Sequence, residues 1–224
     1  MRTRRAIARA RTRPDGDTRV RLLEAGKRLF AEHGFDDVTV RDICREADAS
    51  LALVNYHFGD KAGLYAEVME EAIRALRQFN DQVMAAPPGS PPEKKLEHFV
   101  RIFLARVLEP AGAAAWVHQL MEHEIRRPTA AAPRIGRLAV RPRIRYLGEV
   151  IGELMTRPPD DPLVMQCVGS VHGLCLIYAR YMEMPESLRA AVTERPWKGA
   201  LDVDACTRHV LAFSLAGIRA VREQ

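Results

Sequence analysis

The amino-acid sequence predicts an all-α protein with a small N-terminal three-helix domain and a larger C-terminal helical bundle. Apolar residues make up 47% of the 224 positions and recur at helical spacing in long segments. Pro and Gly separate these segments, and runs of alternating β-branched residues, which are typical of strands, are scarce. The length is enough for one large domain or for a small domain and a medium one.

The composition also favours a soluble, cytoplasmic protein with no membrane partner. No apolar run approaches the length of about 18 residues that a membrane span needs, and the Arg-rich N-terminus has no apolar region after it. Four cysteines lack CxxC spacing, so we expect buried free thiols and neither disulfides nor a metal site. They are Cys44, Cys167, Cys175 and Cys206. No cofactor is expected.

Residues 1 to 16 form a basic segment that is too polar to fold alone, and we expect a flexible arm. Every charged residue before Pro14 is an arginine. Two interpretations remain open. The arm is either a solvated tail that aids solubility or a DNA contact, because arginine displaces counterions from phosphate.

Residues 17 to 65 carry start and stop signals for short helices. A first helix is expected from Thr18 to His33, with Gly34 after it in a left-handed conformation. Thr39 begins a capping box for a second helix, which ends near Ala47.

A tight turn and a third helix follow. Asp48 is expected to adopt positive φ in the turn, and Ser50 is expected to cap the third helix. That helix ends at Gly59, where Asp60 caps a fourth helix. The fourth helix runs from Lys61 toward residue 85 and connects the two domains.

Two short helices joined by a tight turn behind a longer helix form a helix-turn-helix, which presents its second short helix to the DNA major groove. At helical spacing Val54 points into the core, with Leu51 and His57 beside that direction. The opposite arc faces the groove and consists of Ala52, Leu53, Asn55 and Tyr56.

These residue types suit DNA chemistry. Asn55 can pair with adenine, Ala52 and Leu53 can contact a thymine methyl group, and Tyr56 offers a hydroxyl to a base or phosphate. Thr39 and Lys61, near the starts of two helices, are placed for phosphate.

Other roles remain open for several of these side chains. Tyr56 and His57 can form the edge of a small core, which is the favoured interpretation for His57. Lys61 can be an ordinary surface lysine. Arg41 can pair with Asp42 or Glu46 or contact DNA.

The segment RLLEAGKRLFAEHGFDDVTVRDICREADASLALVNYHFGDKAGLYAEVM resembles the DNA-binding domain of the TetR family of transcriptional regulators. The resemblance covers nearly all of residues 18 to 69. By position it implies base or groove contact for Arg41, Leu51, Leu53, Asn55 and Tyr56, and phosphate contact for Thr39, His57 and Lys61. Asp48 replaces the usual turn glycine, and Asn55 replaces a common tyrosine, which implies a different operator. The expected DNA-binding set is Thr39, Arg41, Ser50, Leu51, Ala52, Leu53, Asn55, Tyr56, His57 and Lys61.

Residues 66 to 224 are expected to form an effector-binding and dimerisation domain. The segment AAPPGSPPE reads as a linker followed by a capped helix start, and later Pro and Gly clusters mark further breaks. Pro142 predicts a kink or division in the third of the helices. The expected helices cover about residues 91–109, 113–126, 129–156, 162–182 and 203–222, with a short helix after Pro185.

The last two long helices are apolar or small almost all the way round, more than one buried face requires. We therefore expect a homodimer in which each packs inward and against a symmetric copy, through small residues such as Ala216 and Gly217. A central helix of a monomeric bundle is the alternative.

The C-terminal half also resembles the regulatory domain of the CecR-like subgroup of TetR-type proteins. The segments that carry this resemblance are HEIRRPT, RPRIRYLGEVIGELM and VGSVHGLCLIY. The resemblance implies a small-molecule pocket, for which aromatic and polar side chains amid apolar helices are candidates. They are Phe103, Trp116, Met121, Tyr146, His172 and Tyr178, and each can also be an ordinary core or interface residue.

Two further groups of side chains in the C-terminal half are of types that can bind an ion. The His and Cys spacings place no pair on one helix face, so no metal site is expected. Four arginines around Pro142 are expected on a solvated face, with anion binding as the alternative. They are Arg137, Arg141, Arg143 and Arg145.

These features together predict a homodimeric repressor that a small-molecule effector releases from a palindromic double-stranded DNA operator. The effector is expected to be an uncharged or amphiphilic organic molecule. An enzyme would need a nucleophile and base pair or a phosphate-binding motif, and none stands out, so no catalytic residue is expected. A nonspecific architectural DNA binder would need wedge residues and more uniform basicity.

Overall fold

The computed structural model describes residues 15–108, 115–192 and 202–223, and within these ranges every regular element is a helix. The helices of the N-terminal half are α1 (Asp15–Asp37), α2 (Val40–Ala47), α3 (Leu51–Phe58), α4 (Lys61–Val83), α5 (Pro92–Leu108) and α6 (Ala115–Arg126). Those of the C-terminal half are α7 (Ala132–Ile135), a π-helical turn (Gly136–Val140), α8 (Arg141–Met155), α9 (Pro162–Glu183), α10 (Glu186–Val192) and α11 (Val203–Arg222). None of the helices in the described ranges has the length and apolar character to cross a membrane.

The chain divides into two compact units. The first consists of residues 1–72 and 116–131, and the second of residues 73–115 and 132–224. The first unit therefore includes α6, which the sequence analysis assigned to the effector domain. The basic arm lies almost entirely outside the described residues, as do the proline breaks at residues 110 and 196.

The first unit is built around a small apolar core that α1, α2, α3 and the start of α4 share. Phe30, Ile43, Val54 and Leu64 are fully buried in it. Each short helix contributes only a few apolar positions, so the packing of its neighbours must hold it in place.

The predicted signals at α1 and α2 agree closely with the structure. Gly34 has φ +80°, as expected for a glycine that interrupts a helix, but helical structure resumes after it and α1 ends at Asp37 rather than near His33. Thr39 and Asp42 form the capping box, and α2 ends at Ala47 as predicted.

The start of α3 differs from the prediction in one respect. Asp48 has φ 47° and ψ 55° in the turn, as expected. Ser50 is the N-cap residue of α3, but its side chain makes no capping hydrogen bond, so the predicted cap is wrong. The cap of α4 does form, because the Asp60 carboxylate accepts a hydrogen bond of 2.7 Å from the Gly63 N–H.

The second unit has its own core, in which α5 packs against α8, α9 and α11. Phe99, Leu104, Leu147 and Ile151 are fully buried there. The connection after α8 folds back over that helix. An added Cβ on Gly152 would lie 2.8 Å from the Arg157 carbonyl oxygen, so glycine permits this close approach.

The predicted single helix over residues 129–156 is divided in the structure. A π-helical turn at Gly136–Val140 separates α7 from α8, and Pro142 lies in the first turn of α8. Proline has no N–H for a bond back to Leu138, which disfavours a continuous α-helix across this point. The expectation of a kink or division at Pro142 is confirmed, and so is the short helix after Pro185.

All four cysteines are free thiols, as predicted. Cys167, Cys175 and Cys206 are buried, and burial raises the pKa of each thiol, that of Cys175 to about 12. Cys44 is only half-buried, contrary to the expectation that every thiol is buried.

We predict that Thr156→Gly stabilises the protein. Thr156 ends α8 with φ 55° and ψ 42°, a conformation that is unfavourable for a β-branched residue and easy for glycine. The free energy of unfolding should rise by about 1 kcal/mol in a denaturation experiment at fixed protein concentration. Asp48→Gly is the matched control, with a smaller expected gain because aspartate tolerates positive φ. A decrease for Thr156→Gly would contradict this assignment.

Candidate nucleic-acid interface

Helix α3 buries one narrow face and exposes the rest. Val54 is fully buried and Phe58 nearly so, which attaches α3 to the first unit. Leu51, Ala52, Asn55 and Tyr56 are exposed at the spacing i, i+1, i+4, i+5, which places them on one continuous face. The side chain of Tyr56 is 73% exposed, which is unusual for an aromatic residue on a short helix.

This exposed face differs slightly from the one that helical spacing predicted. Leu51 was expected beside the core, but it is 52% exposed and belongs to the outward face, as the family resemblance implied. Leu53 was expected on the outward arc and is half-buried. A helix of two turns packs at an angle, so its first residues extend beyond the core that holds its end.

Helix α2 contributes an exposed arginine. Arg41 is exposed in the first turn of α2, and its two expected partners are engaged elsewhere: Asp42 pairs with Arg45, and Glu46 pairs with Arg28. In the described part of the chain Arg41 has no ion pair. A cation in the first turn of a helix opposes the helix dipole, so an external anion is the better partner.

Thr39 and Asp42 are occupied by the capping box. Hydrogen bonds from the Thr39 hydroxyl and backbone N–H hold the pKa of the Asp42 carboxyl below its ordinary value. The Thr39 hydroxyl also accepts a bond of 3.2 Å from the Asp42 N–H. The phosphate contact of Thr39 stays a prediction, and Thr39 would make it in addition to its capping hydrogen bonds.

Lys61 is tied into the first unit. Its ammonium group donates to the carbonyl oxygens of Phe35 at 2.9 Å and Val38 at 3.0 Å, and it lies 4.2 Å from the centre of the Phe35 ring. Lys61 therefore joins the start of α4 to the connection between α1 and α2. A phosphate contact would use the remaining donor of the ammonium group.

Two more predicted residues lie at the ends of α3. Ser50 is exposed, and its hydroxyl makes no capping bond. His57 is half-buried, with ring contacts to Tyr56 at 4.9 Å and to Phe58 at 6.0 Å. The choice between a core role and a phosphate contact for His57 stays open.

The sequence analysis missed Arg21 as the residue that fixes the turn. Its guanidinium donates to the carbonyl oxygens of Ala47 and, at 3.2 Å, of Asp48, and to the Thr18 hydroxyl at 3.2 Å. These bonds satisfy carbonyls at the end of α2 and hold the turn before α3 against α1. The available signal was the position of Arg21 on the same face of α1 as the buried residues Thr18 and Ala25.

The first unit also contains a buried polar cluster around α6. The Tyr65 hydroxyl donates to the carboxylate of Glu124, which is 5% exposed and accepts further bonds from the Thr129 N–H and hydroxyl at 3.2 and 2.8 Å. Burial and the Glu124 carboxylate raise the pKa of Tyr65. An added Cβ on Gly34 would lie 2.8 Å from His123 Nδ1, so this glycine lets α6 approach α1. Helix α6 is thereby packed onto the helix-turn-helix.

The six candidate pocket residues are divided between the two units. Trp116 and Met121 lie on α6 in the first unit, where Lys27 Nζ is 5.6 Å from the Trp116 ring centre. The other four lie in the second unit, where Phe103 and His172 are in edge-on contact with ring centres 5.3 Å apart. The Tyr146 hydroxyl and His172 Nε2 are buried without a hydrogen-bond partner in the described part of the chain. Ligand contact stays a prediction for all six.

Metal ligands are not grouped in the ranges that the structure describes: no three His, Cys, Asp or Glu side chains there could hold one ion.

The first unit presents an exposed two-turn helix, α3, which follows a fixed tight turn. Arg41, which has no ion pair in the described part of the chain, lies on the preceding helix. This geometry is that of a helix-turn-helix, a motif that presents its second short helix to the major groove of double-stranded DNA.

The chain belongs to the TetR family of bacterial regulatory proteins. Residues 22–68 match the family model described as bacterial regulatory proteins, tetR family. Residues 92–218, more than half of the chain, match the model of the C-terminal domain of the HTH-type transcriptional dual regulator CecR. Both models describe transcriptional regulators, in agreement with the sequence resemblance.

Curated relatives are regulators too. The chain is 37% identical over 97 residues to the HTH-type transcriptional regulator BetI of Agrobacterium fabrum, covering 43% of this chain and 46% of BetI. It is 32% identical over 111 residues to the HTH-type transcriptional repressor AcnR of Corynebacterium glutamicum, covering 46% of this chain and 58% of AcnR. The chain thus spans about half the length of the curated relatives that it matches.

Solved structures share the fold over most of their length. A tetR-family regulatory protein from Rhodococcus RHA1 has a TM-score of 0.64 at 16% identity and covers 90% of this chain and 96% of its own. The ketosteroid transcriptional regulator KstR2 of Mycobacterium tuberculosis has a TM-score of 0.60 at 20% identity and covers 89% of this chain and 93% of its own. At these identities the similarity establishes the fold alone.

We predict that Lys61→Met destabilises the protein even when no DNA is present. The variant removes two hydrogen bonds from a charged donor and leaves two carbonyl oxygens without them, so the free energy of unfolding should fall by about 2 kcal/mol. Lys94→Met is the matched control. Lys94 pairs with Glu97 at the surface, where loss of a pair has little effect. Equal stability of the two variants in thermal denaturation would show that the carbonyl contacts of Lys61 are unimportant.

Proposed function

We propose that the protein is a homodimeric repressor that binds a palindromic operator and is released from it by a small-molecule effector. The observation that carries the proposal is the exposed face of α3, with Leu51, Ala52, Asn55 and Tyr56 directed outward from a rigid support. AcnR, one of the relatives, is named a repressor. That name supports repression over activation for this chain.

The outward face offers chemistry that discriminates between bases. Asn55 carries an amide that can make two hydrogen bonds to adenine in the major groove, while Leu51 and Ala52 can contact thymine methyl groups. Arg41 and the Ser50 hydroxyl, at the starts of α2 and α3, suit the phosphates on either side. Two base-reading residue types flanked by phosphate donors favour sequence-specific binding over nonspecific binding.

Helices α9 and α11 support a dimer. On α9 the exposed positions include Met165, Gly169, Gly173 and Ile177, which recur every four residues. On α11 the exposed positions include Ala212, Ala216, Gly217 and Ala220, together with Phe213, which is 61% exposed. Two stripes of small and apolar residues, both outside the core of their own unit, suit close packing against a second copy.

A dimer would allow the protein to contact a longer DNA sequence than one copy of α3 can reach. Two symmetric copies of α3 can read two half-sites of a palindrome that are one helical turn of DNA apart. The proposed two-fold axis therefore links the apolar stripes of the second unit to the reading faces of the first. A monomer would read one short half-site, which is too little for specific binding in a genome.

Effector release requires that a ligand favour one conformation of the dimer. A hundredfold loss of operator affinity needs about 2.7 kcal/mol of differential binding between the two conformations. The chain passes between its units within α4, at the start of α6 and after Ala131, so the second unit has three covalent connections to the first. The Glu124 cluster packs α6 onto the helix-turn-helix and makes it a second route beside α4.

The direct test of the proposed function is a search for an operator. Purified protein is mixed with fragments of genomic DNA, and bound fragments are recovered at physiological salt, where nonspecific binding is weak. We expect a palindromic sequence that binds at least about 1000-fold more tightly than a scrambled duplex of the same composition. Equal affinity for the two duplexes would contradict the proposal.

We predict that Asn55→Ala weakens operator binding by about 1 to 3 kcal/mol and leaves the affinity for scrambled DNA nearly unchanged. The amide reads base edges, whereas binding to scrambled DNA depends on phosphate contacts. Gln78→Ala is the matched control because Gln78 is an exposed amide on α4 outside the helix-turn-helix. Fluorescence anisotropy titrations with both duplexes measure the ratio. An unchanged ratio for Asn55→Ala would mean that another residue reads the operator.

We predict that Gly217→Arg converts the dimer to monomers that remain folded. An added Cβ at Gly217 meets nothing within 4 Å in its own protomer, but an arginine there would bury an unpaired charge at the proposed interface. Gly136→Arg is the control, since Gly136 also has open space around an added Cβ and lies away from both stripes. Sedimentation velocity at micromolar concentration gives the result. A wild-type monomer, or a dimeric Gly217→Arg variant, would contradict the proposed interface.

A further inference from the structure

Arg143 is buried, although the sequence analysis placed it on a solvated face with three other arginines. Arg137, Arg141 and Arg145 are exposed as expected, but Arg143 is only 8% exposed and points into the core of the second unit. Arg141, Arg143 and Arg145 all lie on α8, where residues two positions apart differ in direction by about 200°, so Arg143 faces opposite to Arg141 and Arg145. The expectation of a solvated arginine is wrong at this position.

The contacts of Arg143 are those of a cation without an anion. Its Nη1 donates to the Asn80 Oδ1 at 3.3 Å, while the Asn80 amide donates to the Ala139 carbonyl oxygen at 2.7 Å. The guanidinium carbon lies 5.6 Å from the Phe79 ring centre and 5.4 Å from that of Phe103. Across residues 15–108, 115–192 and 202–223, no carboxylate pairs with Arg143, and its Nε has no hydrogen-bond partner.

The surrounding groups increase the positive potential instead of cancelling it. Arg106 is half-buried, and its guanidinium carbon lies 4.4 Å from the Phe79 ring centre that Arg143 also approaches. Burial and the charge of Arg106 lower the pKa of Arg143 to about 10, so the guanidinium remains charged at neutral pH. A buried charge that lacks a partner is costly, and a bound anion would remove that cost.

His172 completes the polar side of the cluster. Its ring is in edge-on contact with Phe103, and its Nε2 is buried without a hydrogen-bond partner in the described part of the chain. Burial and the charge of Arg143 lower the pKa of His172 to about 4, so the imidazole is neutral and can donate one hydrogen bond. Two buried nitrogen groups, Arg143 Nε and His172 Nε2, thus have unused hydrogen-bonding capacity beside three phenylalanine rings, those of Phe79, Phe99 and Phe103.

We propose that Arg143, Arg106, Asn80 and His172 bind the carboxylate of an amphiphilic organic acid, whose apolar body packs against Phe79 and Phe103. This inference rests on the proposed function, because it assigns a chemical class and a site to the effector. A planar guanidinium matches a carboxylate in a two-bond geometry. The aromatic rings favour an apolar body over a small hydrated anion such as phosphate.

The binding test uses the purified protein without DNA and two probes that differ only in the head group, octanoate and octan-1-ol. Isothermal titration calorimetry at pH 7.5 should show that octanoate binds at least about tenfold more tightly, because only the carboxylate pairs with the buried guanidinium. Equal affinities for the acid and the alcohol would overturn the proposal. Displacement of octanoate by an equal concentration of inorganic phosphate would also overturn it.

Variants test whether the proposed residues cause the preference for octanoate over octan-1-ol. Arg143→Met keeps the length of the side chain without its charge, and we expect the acid-to-alcohol preference to fall below about twofold. The thermal midpoint of the ligand-free variant should be equal to or higher than that of the wild type, because a buried unpaired charge is removed. Arg145→Met is the control. Arg145 is exposed, pairs with Glu149 at 3.0 Å and should keep the full preference when replaced.

A second variant covers the case in which Arg143→Met fails to fold. Arg106 is half-buried, so its replacement should disturb the fold less than that of Arg143. Arg106→Met also reduces the positive potential at the cluster, and we expect the acid-to-alcohol preference to fall several-fold. If either variant folds and keeps the full acid-to-alcohol preference, the proposed carboxylate site is contradicted. Specific operator binding without any acid preference would overturn this inference alone, whereas acid preference without specific operator binding would overturn the proposed function.

Discussion

The rest of the first unit depends on one constraint: α3 must expose most of its surface and still keep a fixed orientation. Val54 and Phe58 are its two buried side chains, and a helix of eight residues has little stability of its own. Hydrogen bonds from two cationic side chains to backbone carbonyls beside α2 add stability that the packing of so few apolar residues does not provide. Arg21 binds carbonyls at the end of α2, and Lys61 binds carbonyls just before α2 begins. These two cations fix the chain on either side of α2, so the outward residues of α3 are not needed to hold the helix in place.

The sequence was sufficient for the elements whose signals are local. The capping box at Thr39, the positive φ of Asp48 and the break at Pro142 follow from the chemistry of a few neighbouring residues, and the structure contains all three. The cap expected from Ser50 does not form, because a preference for N-cap positions does not determine whether the hydroxyl turns toward the helix. Leu51 illustrates a similar limit. Helical spacing gives the direction of a side chain but not the angle at which a short helix packs.

Contacts between distant parts of the chain were beyond sequence reasoning. The packing of α6 onto the helix-turn-helix depends on a buried bond between Tyr65 and Glu124, which are 59 residues apart. Neither residue belongs to a motif that signals the partner. The burial of Arg143 is of the same kind. An arginine in a basic stretch reads as solvated, but Arg143 faces opposite to Arg141 and Arg145 on α8, and the side chains that cover it come from the distant helices α4 and α5.

The two units treat their buried charges differently. In the first unit Glu124 is satisfied by Tyr65 and Thr129, and Lys27 pairs with Glu24 and Glu71. In the described part of the second unit the charge of Arg143 meets a neutral amide and aromatic rings, with a second arginine nearby. Buried charge is therefore balanced by hydrogen-bond partners in the first unit, whereas Arg143 has no carboxylate partner in the described part of the second. An organic anion that binds this cluster, as proposed above, would favour the conformations that keep the cluster intact, and its binding energy would then select among the conformations of the protein.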